Sequence, residues 1–403
     1  MQVAVPGGSW RRRESRTAYL FVAPAVLLIG AFGLFPVLFT VYVSLWKWRI
    51  RRDTFVGLRN YVDIFGAPLP LLFFLLSLSA VIFGFALLRR HPPSRAPRGA
   101  APPRPGAQSR LLRLVGGTVL LLSGAGLMAW ALPAMYRVAD TEMLDSLRVT
   151  IWYSFGTVPV QLALGVVVAV LINQRVPGRQ AFRVIYLLPY VVPTVASAAV
   201  FDRLFSLRPE SLANQVLSLL GLPIQEWLQE PDGIFSLLAG GRLPTESAGL
   251  LASYWLAWAQ GPSLALVSIL FYSWWVFIGY YALIYTNGLA NIPRQLYEAA
   301  EVDGAGKLTS FFRITLPLLS PTTYFLTLLG IIGTFKAFTH IYVLRTPAVR
   351  GAVDPMSVYI FFEFFRKQRF GYAAALSLVL FAIVLGLTVL QRRISERSVS
   401  YGD

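Results

Sequence analysis

The chain has no cysteine and only two histidines, His91 and His340. Disulfides and thiolate metal sites are therefore excluded, and a histidine-based metal centre lacks ligands. Charge is also scarce: 14% of the 403 residues are Asp, Glu, Lys or Arg, against about 25% in soluble domains. Acids are the rarer sign, 19 against 36 Lys and Arg. No Gly-rich Walker-type lysine motif occurs, so the chain is not expected to hydrolyse ATP. The residue alternation of an outer-membrane barrel is missing too.

What remains is apolar. Hydrophobic residues make up 56% of the sequence. Runs of about 20 of them recur along its length, the pattern of a polytopic all-α membrane protein. Eight spans are expected at about 18–46, 69–88, 114–134, 149–172, 184–205, 263–289, 316–344 and 371–390. The first follows "RRRESR" and is too long for a signal-peptide core, so it is expected to remain as an anchor.

Loop charge orients the spans. With the N-terminus in the cytoplasm, the inside segments hold 20 Lys and Arg and the outside ones 14 over more residues. Both termini are then cytoplasmic, and membrane topology accounts for the net charge of +17 without any nucleic acid. The segment 89–113, rich in Pro, Ala and Arg and free of acids, reads as a disordered, lipid-facing cytoplasmic linker. In the external loop 206–262, "ESLANQVLSLLGLPIQEWLQ" reads as an amphipathic helix. The run 248–260 is apolar but short, an interfacial or re-entrant helix unless it spans and inverts everything after it.

One cytoplasmic loop, 290–315, departs from the basic character of the others. It reads "NIPRQLYEAAEVDGAGKL", with Asn291 as a candidate cap, Pro293 in a first turn and Gly304 and Gly306 as breakers. A second short helix, "KLTSFFRIT", leads to the next span. Ala299 and Ala300 allow close approach of a partner backbone, and Glu298 offers a carboxylate to a partner arginine. A solvated connector is the plainer reading of the same residues.

The spacing of Glu298-Ala299-Ala300, Gly304, Ile314 and Leu316-Pro317 resembles the EAA motif of bacterial ABC-importer permeases. About three quarters of the chain resembles their carbohydrate-uptake branch, the maltose-type and glycerol-phosphate-type permeases. Matching stretches include "AFRVIYLLPYVVPTVASAAVF" and "GLANIPRQLYEAAEVDGA". The resemblance implies a six-helix permease core at 141–403, preceded by a cytoplasmic segment 1–17 and a first helix with external loop at 18–68. An extra transmembrane hairpin at 69–134 departs from the family's usual six spans. It also implies partners: a cytoplasmic ABC ATPase dimer, a second homologous permease, an extracytoplasmic solute-binding protein, membrane lipid and a sugar, with no cofactor. Glu298, Ala299, Ala300, Asp303 and Gly304 would couple to the ATPase. The family's Gly-Gly-Pro turn is replaced by "LRTPAVRGAVDPMSVY", which leaves that external contact open.

Carried over residue by residue, Tyr280, Gly330, Gly333, Thr334 and Ala337 fall where maltose-type permeases contact sugar. Trp275 and Lys336 are further candidates. Trp274 and Trp275 serve equally well as belt anchors, and Lys336 as a snorkelling cation. His340 is expected at the membrane interface, and Asp202 with Arg203 as an interfacial pair. An ion-coupled secondary transporter is the rival function; it calls for acids inside the spans, and only Asp202 at a span end comes near. A membrane enzyme would need a catalytic constellation, and none is visible.

Overall fold

The computed structural model describes residues 8–88, 107–174, 178–241 and 249–395. Six of its helices are long and apolar enough to cross a membrane: Thr17–Ser44, Pro68–Leu88, Leu111–Tyr136, Thr141–Asn173, Leu264–Ala290 and Phe370–Arg393. Two more candidates are bent pairs, Gln180–Val191 with Thr194–Leu204 at 93° and Lys307–Leu318 with Ser320–Phe335 at 62°. Counting each pair as one span gives eight among the described residues, and the fold is a polytopic one with almost no strand.

The bends correct the two spans expected to be continuous. At 184–205 the helix stops because Pro193 has no N–H to donate and forces Val192 into an extended conformation, ψ 138°. At 316–344 the first bend falls at Leu319, just before Ser320 and Pro321. The helix then ends at Phe335, and Thr339–Leu344 starts a separate helix after an irregular turn at Lys336–Phe338. Of the apolar run 248–260, residue 248 lies outside the described residues and the rest holds the helix Leu250–Ala259, ten residues or about 15 Å, half the hydrocarbon thickness of a bilayer.

Two compact units are present, residues 1–61 with 361–379 and residues 62–360 with 380–403. In the first, the helix ending at Ser44 runs into an antiparallel β-hairpin, β1 Trp46–Trp48 and β2 Arg52–Phe55. The hydropathy pattern had shown no strand there. Asn60 ties the hairpin down, its side-chain amide donating to the Ser44 and Trp46 carbonyls at 2.7 and 3.2 Å. The fully buried Glu363 is neutralised by Lys367 at 2.7 Å and Arg369 at 3.3 Å.

In the second unit, Pro68–Leu88 and Leu111–Tyr136 form a close hairpin. A Cβ on Gly84 would lie 2.9 Å from the Gly117 carbonyl, so the small residues let the backbones approach as membrane helices require. The expected linker 89–113 is testable only at its end. Residues 89–106 lie outside the described residues, but 107–113 belong to the helix Ala107–Tyr136, since 107–113 hold no proline and Leu, Ala and Arg favour helix.

The core is built by Leu264–Ala290, with 56% of its apolar window buried against 11% for each hairpin helix. It packs on Thr141–Asn173, whose first turn is capped by the Asp140 carboxylate accepting the Met143 N–H at 3.2 Å. Gly279 sits where the Gln180–Val191 helix crosses; a Cβ there would fall 2.0 Å from the Tyr186 carbonyl oxygen. Gly279→Val is therefore expected to destabilise the protein by about 1–3 kcal/mol or more. A thermal unfolding midpoint in detergent equal to that of the parent would refute this close approach.

Candidate functional site

A cavity of about 400 Å³ opens in the second unit, where the helix breaks meet. Tyr153, Thr157 and Gln161 line it from Thr141–Asn173, and Tyr272, Val276 and Tyr280 from Leu264–Ala290. Both sets have the four-residue spacing that stacks side chains on one helix face. Tyr190 and Thr194 enter from either side of the break at Val192–Pro193. Gly330, Gly333, Thr334 and Ala337 close the opposite wall, followed by His340 after the second break. An unbroken helix would not turn both sides of such a break toward one space.

The polar groups of the cavity are held in order. Tyr153 OH hydrogen-bonds His340 Nε2 at 2.7 Å and Ser273 Oγ at 2.8 Å. Gln161 Nε2 donates to the Ser273 carbonyl at 3.0 Å, and Thr334 Oγ1 donates to Ser154 Oγ at 2.9 Å. The His340 ring stacks on Tyr272, centroids 5.4 Å apart. Tyr190 and Tyr280 stack at 4.9 Å and 19°. Thr157 is 2% exposed. No Asp, Glu, Lys or Arg among the described residues lines the cavity. Among the described residues no group of His, Asp or Glu is placed to hold a metal. Aromatic faces with a few ordered hydroxyl, amide and imidazole groups suit an uncharged, hydroxyl-rich ligand.

Of the residues singled out from the sequence, Tyr280, Gly330, Gly333, Thr334 and Ala337 come together on this cavity. Lys336 and Trp275 do not: Lys336 is exposed, and Trp275 packs on the Phe201 ring at 5.2 Å with 45% of its surface open. His340 is not interfacial but buried, because the break before Thr339 turns it inward. Tyr153, Thr157, Gln161, Tyr190, Thr194 and Tyr272 were not foreseen. Their one signal in the sequence was polar residues at four-residue spacing within apolar helices. Asp202 and Arg203 form no ion pair with each other; both line a separate cleft with Arg208, Glu210 and Thr346.

The loop between the core helix and the second bent pair is ordered. Its helix spans Arg294–Val302. The expected cap is wrong: Asn291 is the C-cap of the preceding helix, and Pro293 occupies the N-cap position without a side-chain bond. The C-terminus is a Schellman motif, with Gly304 N–H to the Glu301 carbonyl at 3.0 Å and Ala305 N–H to the Ala300 carbonyl at 2.8 Å. This requires the φ of +77° that Gly304 adopts. Glu298, Ala299, Asp303 and Gly304 are exposed and Ala300 half-buried. Val302 and Leu308 expose 90% and 75% of their surface, an apolar display beside the carboxylates. The inner side is anchored: Ile292 is buried in a core cluster with Tyr285, Leu289 and Leu319, and Tyr297 and Phe311 pack against it. Tyr297 OH also hydrogen-bonds Thr315 Oγ1 at 2.9 Å.

The chain is similar to known transport proteins over most of its length. The trehalose/maltose transport system permease protein MalF of Thermococcus litoralis is 25% identical over 386 residues, 95% of each chain. A bacterial ABC transporter that imports the acidic polysaccharide alginate shares the fold, at TM-score 0.58 and 17% identity, over 98% of this chain and 100% of that one. A second structure, of the alginate transporter with an alginate pentasaccharide-bound periplasmic protein, matches at TM-score 0.52 and 20% identity, over 73% and 96%. Residues 161–399, more than half of the sequence, match the model of binding-protein-dependent transport system inner membrane components, and the chain belongs to that family of multi-pass transport permeases.

Proposed function

We propose that this chain is one of two membrane subunits of an ATP-driven sugar importer. The observation that carries the reading is the junction of an aromatic, charge-free cavity with an exposed helix through one buried cluster. Ile292 and Tyr297 link the outward-facing Arg294–Val302 helix to the same core, around Tyr281 and Tyr285, that backs the cavity. A force on that helix would reach the cavity wall through packed side chains rather than through a slack loop. The ATPase belongs to a separate cytoplasmic dimer, which would receive Glu298, Ala299, Ala300, Asp303 and Gly304. Glu298 would pair with an arginine there. Both termini and this loop lie in the cytoplasm, and the loop 206–262 faces a solute-binding protein on the other side.

The substrate is an oligosaccharide, such as a maltose-like disaccharide, taken up in the space between this chain and a second permease. Tyr280, Gly330, Gly333, Thr334 and Ala337 contribute this chain's wall, joined by Tyr153, Thr157, Gln161, Tyr190 and His340. ATP binding closes the motor subunits and opens the cavity outward; hydrolysis returns it to face inward. A secondary carrier fits less well, because no acid among the described residues lines the cavity.

Affinity purification of the tagged protein from its host, followed by mass spectrometry, tests the reading. Recovery of an ABC ATPase and a second permease is expected, and loss of the ATPase when residues 298–304 are scrambled. Purification of the chain alone, with uptake persisting in ATP-free vesicles, would overturn it in favour of the secondary carrier.

A further inference from the structure

We propose that the β-hairpin Trp46–Phe55 is a binding site for anionic phospholipid headgroups, which anchors the first compact unit at one membrane surface. Chain continuity gives the hairpin its location. It begins two residues after Ser44, the end of the Thr17–Ser44 span. On its other side the Trp46 carbonyl lies against Gly371, the second residue of the Phe370–Arg393 span, so closely that a Cβ there would fall 2.0 Å from the oxygen. One span runs toward the hairpin and the other away from it, so both reach the bilayer boundary at the same face. A bilayer that covers these two spans therefore leaves the hairpin in its headgroup layer.

The side chains suit that layer. Trp46 and Trp48 stand 5.7 and 6.4 Å from the Tyr42 ring, a cluster of the amphipathic aromatics that collect at membrane interfaces. Lys47 is engaged by Asp53 at 3.7 Å. Arg52 lies 4.6 Å from the Trp46 ring centroid and donates to Tyr42 OH at 2.7 Å. Arg49 and Arg51 are exposed and, among the described residues, have no ion pair or side-chain hydrogen bond. Between them Ile50 projects with 74% of its surface open. An apolar tip flanked by two free guanidinium groups matches a lipid: the side chain enters the acyl boundary while each guanidinium takes a phosphate through paired N–H donors. The positive-inside tendency does not account for these cations. With the N-terminus in the cytoplasm, this face is the outer one.

The absence of cysteine makes the test clean. A fluorophore on the Ile50→Cys variant of the full chain is the only thiol label. The labelled protein is placed in nanodiscs whose brominated, quenching lipid is either phosphatidylglycerol or phosphatidylcholine. Quenching by both is expected, with phosphatidylglycerol preferred. That preference should fall roughly fivefold for each of Arg49→Gln and Arg51→Gln, equivalent to ~1 kcal/mol per cation near an anionic surface. The label's own apolarity is the same in every arm and cancels. Equal quenching by the two lipids would overturn the anionic-lipid assignment. A label unquenched by either lipid, but shielded from aqueous iodide once the solute-binding protein is added, would make the hairpin a protein-docking element instead.

Discussion

Glu298→Ala is expected to abolish uptake while leaving the isolated subunit as stable as its parent. The carboxylate is exposed on Arg294–Val302 and, among the described residues, takes part in no ion pair. Alanine is the best helix former, so the helix and its Schellman end survive the change. What is lost is the charge offered to a partner. Removing one member of a close charged pair at an interface costs about 2–5 kcal/mol. That lowers the affinity for the ATPase at least ~30-fold. The measurement is ATPase recovery and sugar uptake in proteoliposomes, with the thermal midpoint of the purified subunit as control. Parental uptake by a normally assembled Glu298→Ala importer would remove Glu298 from the coupling role.

The second large effect separates two glycines on adjacent turns of one helix. A Cβ added to Gly333 meets no atom within 4 Å, and the residue lines the cavity. Gly333→Trp should thus place an indole in the cavity and leave the fold intact. Uptake is expected to fall at least about 100-fold, or ~2.7 kcal/mol, with the ATPase still bound. A Cβ on Gly330, by contrast, would sit 2.5 Å from Tyr281 OH and 3.1 Å from Val158. Gly330→Trp forces apart helices packed at interior density, so it should lower the unfolding midpoint and the yield. Equal behaviour of the two variants, in uptake and in melting, would show that Gly333 does not face the substrate path.

These glycines also mark how far the sequence could be read. Both were picked out as opening backbone space in an apolar helix. Nothing in their spacing said that a side chain would find open space at one and a tyrosine hydroxyl at the other, since that depends on the rotation of the helix against Tyr281 and Val158. Lys336 and Trp275 were misplaced for a similar reason. Each lies near the cavity along the chain, but the break after Phe335 and the facing of Leu264–Ala290 turn them away. Tyr153 and His340 are 187 positions apart and 2.7 Å from each other. No local pattern reports such a pair.

Length, hydropathy and residue preference alone determined the polytopic helical class and the helix–glycine–helix form of the 290–315 loop. Those features follow from local energetics: apolar runs partition into hydrocarbon, proline and glycine interrupt helices, and Ala, Glu and Leu propagate them. The tertiary structure decided which proline bends a span by 93°, which face of each helix meets the cavity, and that a β-hairpin folds onto Gly371 beside an all-helical pattern. These depend on contacts between segments far apart in the chain, where close packing of specific side chains and not the preference of any one stretch sets the free energy.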